Sequence, residues 1–431
     1  MVKHSRCIIA LLLIVGFSAP SWAQAIQIGS TGTADKRFGV AAPDFACAPG
    51  LEALAKEMSE VISYDLLFTG LFTVLPKTAY PPTFTGFTAD ATQIDFTGWR
   101  AAKANYLVYA YVTAEGSNVQ AECRMFDVNS GTQILGQRVM STKDLPRLVA
   151  HRFSDEIVRT LDGVPGMATS EICFTRGATG KKEIFVSDYD GANAKQLTQH
   201  GAISIKPKFS PDGSKIAYVS FKDRYPYLYI LDRATGKSTP LSKNVGLNAA
   251  ASWAPDGKRL ALVLSKDGNT EIYTKNIDGS GERRLTTDRA SDSSPTFDPS
   301  GSQIAFVSER SGRPQIFVMG ADGSGVRRIS YQGGSAYDPV WSPDGKMIAY
   351  VASIPGEGFE IYVMNSDGSG ARRLTDTGGS NESPSWSPDS RHVIFASTRS
   401  GPYEIWAVNV APPCEQHRIG PGQGSYWGPR R

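Results

Sequence analysis

Short apolar runs punctuate the second half of the chain at regular intervals. They read Lys215-Ile-Ala-Tyr-Val, Arg259-Leu-Ala-Leu-Val, Gln303-Ile-Ala-Phe-Val, Lys346-Met-Ile-Ala-Tyr-Val and His392-Val-Ile-Phe-Ala. A second run follows in most units, as in Glu271-Ile-Tyr, Gln315-Ile-Phe-Val-Met, Glu360-Ile-Tyr-Val-Met and Glu404-Ile-Trp-Ala-Val. Runs this short and this continuously apolar predict strands buried on both faces, as when one sheet is sandwiched between two others. Each first run is preceded by a turn: Phe209-Ser-Pro-Asp-Gly, Trp253-Ala-Pro-Asp-Gly, Phe297-Asp-Pro-Ser-Gly, Trp341-Ser-Pro-Asp-Gly or Trp386-Ser-Pro-Asp-Ser. The aromatic positions are spaced by 44, 44, 44 and 45 residues. A period of about 40–45 residues carrying four strands is the signature of a β-propeller.

The turns have a physical logic. Proline presets φ near about −65°, aspartate bonds its own backbone, and glycine takes the left-handed position. The preceding aromatic is expected to wedge between blades, which makes these residues structural. Asp-Gly-Ser-Gly at Asp278, Asp322 and Asp367 predicts a hairpin turn, and a polar outer strand such as Arg372-Arg373-Leu374-Thr375 predicts a solvated edge. Glu171-Ile-Cys-Phe-Thr, Glu183-Ile-Phe-Val-Ser and Gln196-Leu-Thr supply the later strands of a unit that lacks its own first strand. Tyr426-Trp427-Gly428-Pro429 resembles that missing strand, so five complete units and one composite unit predict six blades, closed by the C-terminal strand.

The first third of the chain lacks this period. Phe38-Gly-Val-Ala-Ala reads as a strand, Leu51 to Leu67 as a helix, and Tyr106–Val112, Val119–Val128 and Ile134–Val139 as three strands. A last helix is expected from about Asp144 to Leu161, stopped by Gly163. Mixed order of this kind predicts a small N-terminal α/β (α+β) domain over residues 37–165, ahead of an all-β six-bladed propeller over 166–431.

Before residue 37 the pattern changes again. Lys3 and Arg6 precede an apolar run from Ile8 to Phe17, too short for the roughly 20 residues a membrane helix needs. Ser21-Trp22-Ala23 and Ala23-Gln24-Ala25 offer small-residue cleavage sites, so residues 1–23 read as an export signal, with cleavage after Ala25 as the alternative. Residues 24–36 are polar and rich in Thr and Gly, the composition of a mobile arm. Processing removes two positive charges and no acids, so the formal charge falls from +3 to +1, which gives no electrostatic case for nucleic acid or anionic lipid, and no direct membrane insertion is expected.

Candidate chemistry is sparse. Cys47, Cys123, Cys173 and Cys414 survive processing and allow three pairings. Cys47 with Cys123 is the pairing to expect if one forms, but four free thiols is the favoured reading. The cysteines match no zinc pattern, and His151, His200, His392 and His417 form no metal-spaced pair. There is no G-x-S-x-G elbow. Gly236-Lys237-Ser238 lacks the leading glycine of a phosphate loop, and Asp188-Tyr-Asp-Gly191 lacks the spacing and closing Glu of a calcium loop. The expectation is a protein without catalytic site, metal or cofactor.

A propeller of this kind presents a binding surface at its channel mouth, lined by the residues that lead into each innermost strand. The candidates for partner contact are Ser204, Lys206, Asn248, Asp292, Ser293, Tyr337, Asp338, Asn381 and Glu382. The alternative is a hydrolase or lyase, or an ion- or glycan-binding propeller, that uses the rim carboxylates.

Three stretches, joined to this domain order, give the chain its resemblance to the TolB family. They are Phe38-Gly-Val, His151-Arg-Phe-Ser-Asp-Glu-Ile-Val followed by Leu161-Asp-Gly, and Val186-Ser-Asp-Tyr-Asp-Gly. The resemblance covers nearly the whole mature chain and implies a monomeric periplasmic scaffold of the Tol–Pal envelope system. It further implies that the mouth binds the lipoprotein Pal, and that the arm, with Gln24, Ile26 and Ile28, engages TolA. Outer-membrane integrity, envelope constriction in cell division and, in some bacteria, colicin entry are the implied roles. Leu247-Asn248-Ala249 stands where the family pattern carries a basic or histidine-bearing rim, and the arm has fewer apolar strand formers than that pattern.

Overall fold

The computed structural model describes residues 37–84, 86, 91–332 and 334–431, so the expected leader and the arm with Gln24, Ile26 and Ile28 lie outside the described residues. The N-terminal sheet is built on β1 (Phe38–Ala41), which pairs in parallel both with β3 (Phe72–Val74) and with β4 (Tyr106–Glu115). The two-residue β2 (Ala46–Cys47) pairs with the far end of β4. From there β4, β5 (Asn118–Asp127) and β6 (Thr132–Thr142) form an antiparallel meander. Alternation along β4 sends Tyr106, Val108, Ala110 and Val112 toward helices α1 (Glu52–Phe68) and α3 (Arg147–Asp162). Leu107 and Tyr109 point the other way, onto Trp99 of the short α2 (Phe96–Ala101). Helix α3 ends where Gly163 adopts φ 80° and its N–H returns to the Arg159 carbonyl at 2.8 Å.

Six four-stranded antiparallel sheets follow among the described residues. Their innermost strands are Ser204–Phe209, Asn248–Trp253, Asp292–Phe297, Ala336–Trp341, Asn381–Trp386 and Gln423–Arg430. The last of these pairs with Ser170–Ala178, Trp427 opposite Ile172, and so ties the end of the chain into the first propeller blade. Aromatics before the Pro-Asp-Gly turns do wedge between blades. Trp253 Nε1–H donates to the Lys208 carbonyl and Trp386 Nε1–H to the Val340 carbonyl, each at 3.0 Å and each in the preceding blade.

The outer strands differ from expectation. Four of the six are only two residues long, and the polar residues beyond them turn inward. Thr286 Oγ1–H donates to Glu271 at 2.5 Å and accepts from the Ile272 N–H at 2.9 Å. Ser330 does the same with Gln315 (2.7 Å) and Ile316 (2.8 Å), and Thr198 with Glu183 (2.5 Å) and Ile184 (2.9 Å). A buried carboxylate must be bonded, and here the hydroxyl of the outer segment supplies that bond in blade after blade. Cys47, Cys123, Cys173 and Cys414 are all free thiols.

The N-terminal domain docks on the end of the ring where the Pro-Asp-Gly turns lie. His392 Nε2 bonds the Phe68 carbonyl at 2.8 Å, Arg391 pairs with Asp162, and the Phe68 ring lies 5.0 Å from Tyr189 and 6.4 Å from Trp427. Asp155, raised in pKa by burial, accepts from the Ala168 and Thr169 amides at 2.7 and 3.0 Å.

Candidate functional site

The innermost strands begin at the opposite end of the ring. Each breaks register near its start, as between Ile205 and Lys208 or Tyr337 and Val340. At the break Lys206, Ser294, Asp338 and Ser383 adopt left-handed backbone, with φ of 53°, 48°, 44° and 56°. Proline follows each of them, at 207, 295, 339 and 384, and cannot donate to the sheet ladder. A bulge re-aims side chains that a regular strand would direct into the blade. Lys206, Ser294, Asp338 and Ser383 therefore line the central channel, together with Lys208 and Tyr426.

The channel is a mixed-charge site. Ser294 Oγ–H donates to Asp338 Oδ1 at 2.7 Å. Burial alone would raise the Asp338 pKa, but Lys206, the Ser294 bond and Lys208 outweigh it and hold the carboxyl below its ordinary range. Lys208 sits deeper, its ammonium 5.6 Å from the Tyr426 ring, and burial pushes it down to about 8.

The other rim candidates divide in two. Ser204, Asn248, Asp292 and Asn381 are fully buried and bond within and between blades, while Asp292 Oδ1 has no hydrogen-bond partner. Asn381 Nδ2–H donates to Glu360 of the preceding blade at 2.9 Å, and Asp292 pairs with Arg310 at 2.8 Å. Asn248 Oδ1 accepts from Ser242 at 2.7 Å, and Ser204 Oγ lies 3.0 Å from Ser220 Oγ. Ser293, Tyr337 and Glu382 are partly exposed, with Tyr337 edge-on to Phe359 and Glu382 accepting from Tyr403 at 3.2 Å.

An apolar group lies at the same end, of which the sequence singled out only Leu247. Phe221, Tyr225, Val245 and Leu247 are exposed on loops around the Ser204 and Asn248 strands, Val245 to 89%. The available signal was the aromatic-rich hairpin Phe221-Lys-Asp-Arg-Tyr-Pro-Tyr. Lys222, Arg224 and Lys243 flank the group, and Lys243 pairs with Asp223 at 2.6 Å. Apolar side chains clustered within a polar rim are the ordinary composition of a protein-binding surface.

A family model described as the TolB beta propeller domain matches residues 158–429, and one described as the TolB amino-terminal domain matches residues 26–134. A Tol-Pal system protein TolB from Ruegeria sp. (strain TM1040) is 35% identical over 199 residues, 44% of each chain. The protein of that name from Desulfosudis oleivorans is 34% identical over 253 residues, 58% of this chain and 57% of its own. The chain thus spans about half the length of the curated relatives it matches. Among solved structures, the crystal structure of TolB from Acinetobacter baumannii superposes with a TM-score of 0.82 at 26% identity, covering 92% of this chain and 97% of that one.

Proposed function

The chain belongs to the TolB family, and from that premise we propose that it is a periplasmic, non-enzymatic protein-binding scaffold of the Tol–Pal system. Its propeller mouth binds the lipoprotein Pal, and the arm at residues 24–36 contacts TolA through Gln24, Ile26 and Ile28. The chain thereby links partners in two membranes, in support of outer-membrane integrity and of envelope constriction at division. The observation that carries this reading is the mouth itself. It combines a charged, left-handed ring of Lys206, Ser294, Asp338 and Ser383 with exposed Tyr225 and Val245 and half-buried Tyr337.

The rim carboxylates, on which an enzymatic reading would rest, are engaged within the ring: Asp292 pairs with Arg310, Asp338 accepts from Ser294 and Glu382 accepts from Tyr403, which favours a scaffold. Glu183, Glu271 and Glu360 are held by hydroxyls, and Glu271 and Glu360 by guanidiniums as well, so they are committed to the fold. No helix among the described residues is long and apolar enough to cross a membrane. Surface plasmon resonance with the soluble domain of Pal tests the proposal. Lys206→Glu and Tyr337→Ala should each weaken binding by about tenfold or more, the loss of one interface anchor. Unchanged affinity in both variants would refute the mouth as the Pal site.

A further inference from the structure

Two of the stretches that mark the family resemblance meet at the junction between the domains, far from the mouth. His151 comes from α3, Asp188 ends the third strand of the first propeller blade counted from the channel, and Asp190 lies in the turn that follows. That turn is rigid. Gly191 takes φ 86°, a Cβ there would lie 2.4 Å from the Ile419 carbonyl, and the Gly191 N–H bonds Asp188 O at 2.9 Å.

His151 is fully buried and only half satisfied. Its Nδ1 lies 2.9 Å from Asp65 of α1, and Asp65 also accepts from the Tyr189 hydroxyl at 2.7 Å. Its Nε2 has no hydrogen-bond partner. One ligand atom each from His151, Asp188 and Asp190 lies within 4.8 Å of the other two. A carboxylate on one imidazole nitrogen, leaving the other free to face further carboxylates, is the outer-shell arrangement that orients a metal-binding histidine.

We propose that His151 Nε2, Asp188 and Asp190 form a buried site for a divalent transition-metal ion of the zinc class, which clamps the N-terminal domain to the propeller. Imidazole together with carboxylate suits zinc. Ligands about 2.0 Å from a tetrahedral ion lie roughly 3.3 Å apart, so side chains now within 4.8 Å of one another need to close by at most about 1.5 Å. Arg147 pairs with Asp190, Arg431 with Asp188 at 2.6 Å, and Asn193 donates to Asp188 at 2.7 Å. Each carboxylate oxygen has two lone pairs, so these bonds hold the ligands in place and leave sites for the ion.

The test uses the mature chain, stripped with chelator and dialysed to equilibrium against zinc chloride. Elemental analysis should find about one zinc per chain. His151→Gln and Asp190→Asn should each weaken binding by about tenfold or more while the far-UV circular dichroism is retained. Asp190→Asn is the gentler change, because the amide oxygen can still accept from the Ala192 N–H (3.0 Å). Cobalt in place of zinc should give visible d–d bands without a thiolate charge-transfer band. Three results would overturn the site: no stoichiometric metal, zinc retained undiminished by both variants, or a thiolate band that moves the ion to a cysteine.

Discussion

Replacing Trp427 with alanine removes the side chain that locks the ring. Trp427 is 4% exposed, its Nε1–H donates to Ser170 Oγ at 2.7 Å, and its indole stacks on Tyr189 at 6.4 Å. Truncating a buried tryptophan costs about 3–5 kcal/mol in transfer energy and cavity. The lost indole bond adds about 0.5–1.5 kcal/mol, nearer the low end because the Ser170 hydroxyl keeps the Met167 carbonyl as its acceptor. The expected loss is about 4–6 kcal/mol, against a total stability typically near 5–15 kcal/mol. Urea unfolding followed by far-UV circular dichroism measures it without depending on the deleted fluorophore. Val245→Ser, at an 89% exposed position, serves as control and should stay within about 0.5 kcal/mol of wild type. A loss below about 1 kcal/mol for Trp427→Ala would refute closure by the C-terminal strand.

Three further outcomes are expected. Lys208, with a folded pKa near 8 below the ordinary value near 10.5, binds its proton less tightly folded than unfolded. Stability should therefore rise with pH between those two values, and Lys208→Met should abolish that rise and stabilise the protein by about 1–3 kcal/mol at pH 7, as read by urea midpoints across pH. Trp386→Phe should cost about 1 kcal/mol more than Trp341→Phe in urea unfolding, because Trp386 Nε1 bonds Val340 O whereas Trp341 Nε1 has no partner. In thiol titration of the native mature protein, half-buried Cys47 and Cys414 should react. Cys123 and Cys173, whose thiols burial pushes up, should wait for denaturant, and a titre of zero after unfolding would contradict four free cysteines.

The blade count and the closing strand were legible because both rest on local chemistry repeated in register. Pro-Asp-Gly needs one turn geometry, and Tyr426-Trp427 fits one vacancy. The helices were legible to within a few residues. The second, expected from about Asp144, starts at Arg147 because Pro146 stands at its N-cap. The short β3 (Phe72–Val74) and α2 escaped because three to six residues carry too little periodicity. At the rim, alternation along a regular strand could not reveal that Ser204, Asn248, Asp292 and Asn381 face inward while Lys206 and Asp338 face the channel. That outcome depends on a bulge in each inner strand, and on Glu360 reaching across to Asn381. The paired Thr286 and Glu271 lie 15 residues apart, a spacing that means nothing until the strands are folded. His151 and Asp188 were each read alone for the same reason.

Site-specific photocrosslinking against the soluble domain of Pal tests the central claim, that the open mouth of the ring is the partner face. A photoreactive residue placed at Tyr337 or at Glu382 should capture Pal, and one at the exposed Val164, beside the opposite end, should not. Capture from position 164 with none from 337 or 382 would contradict the account.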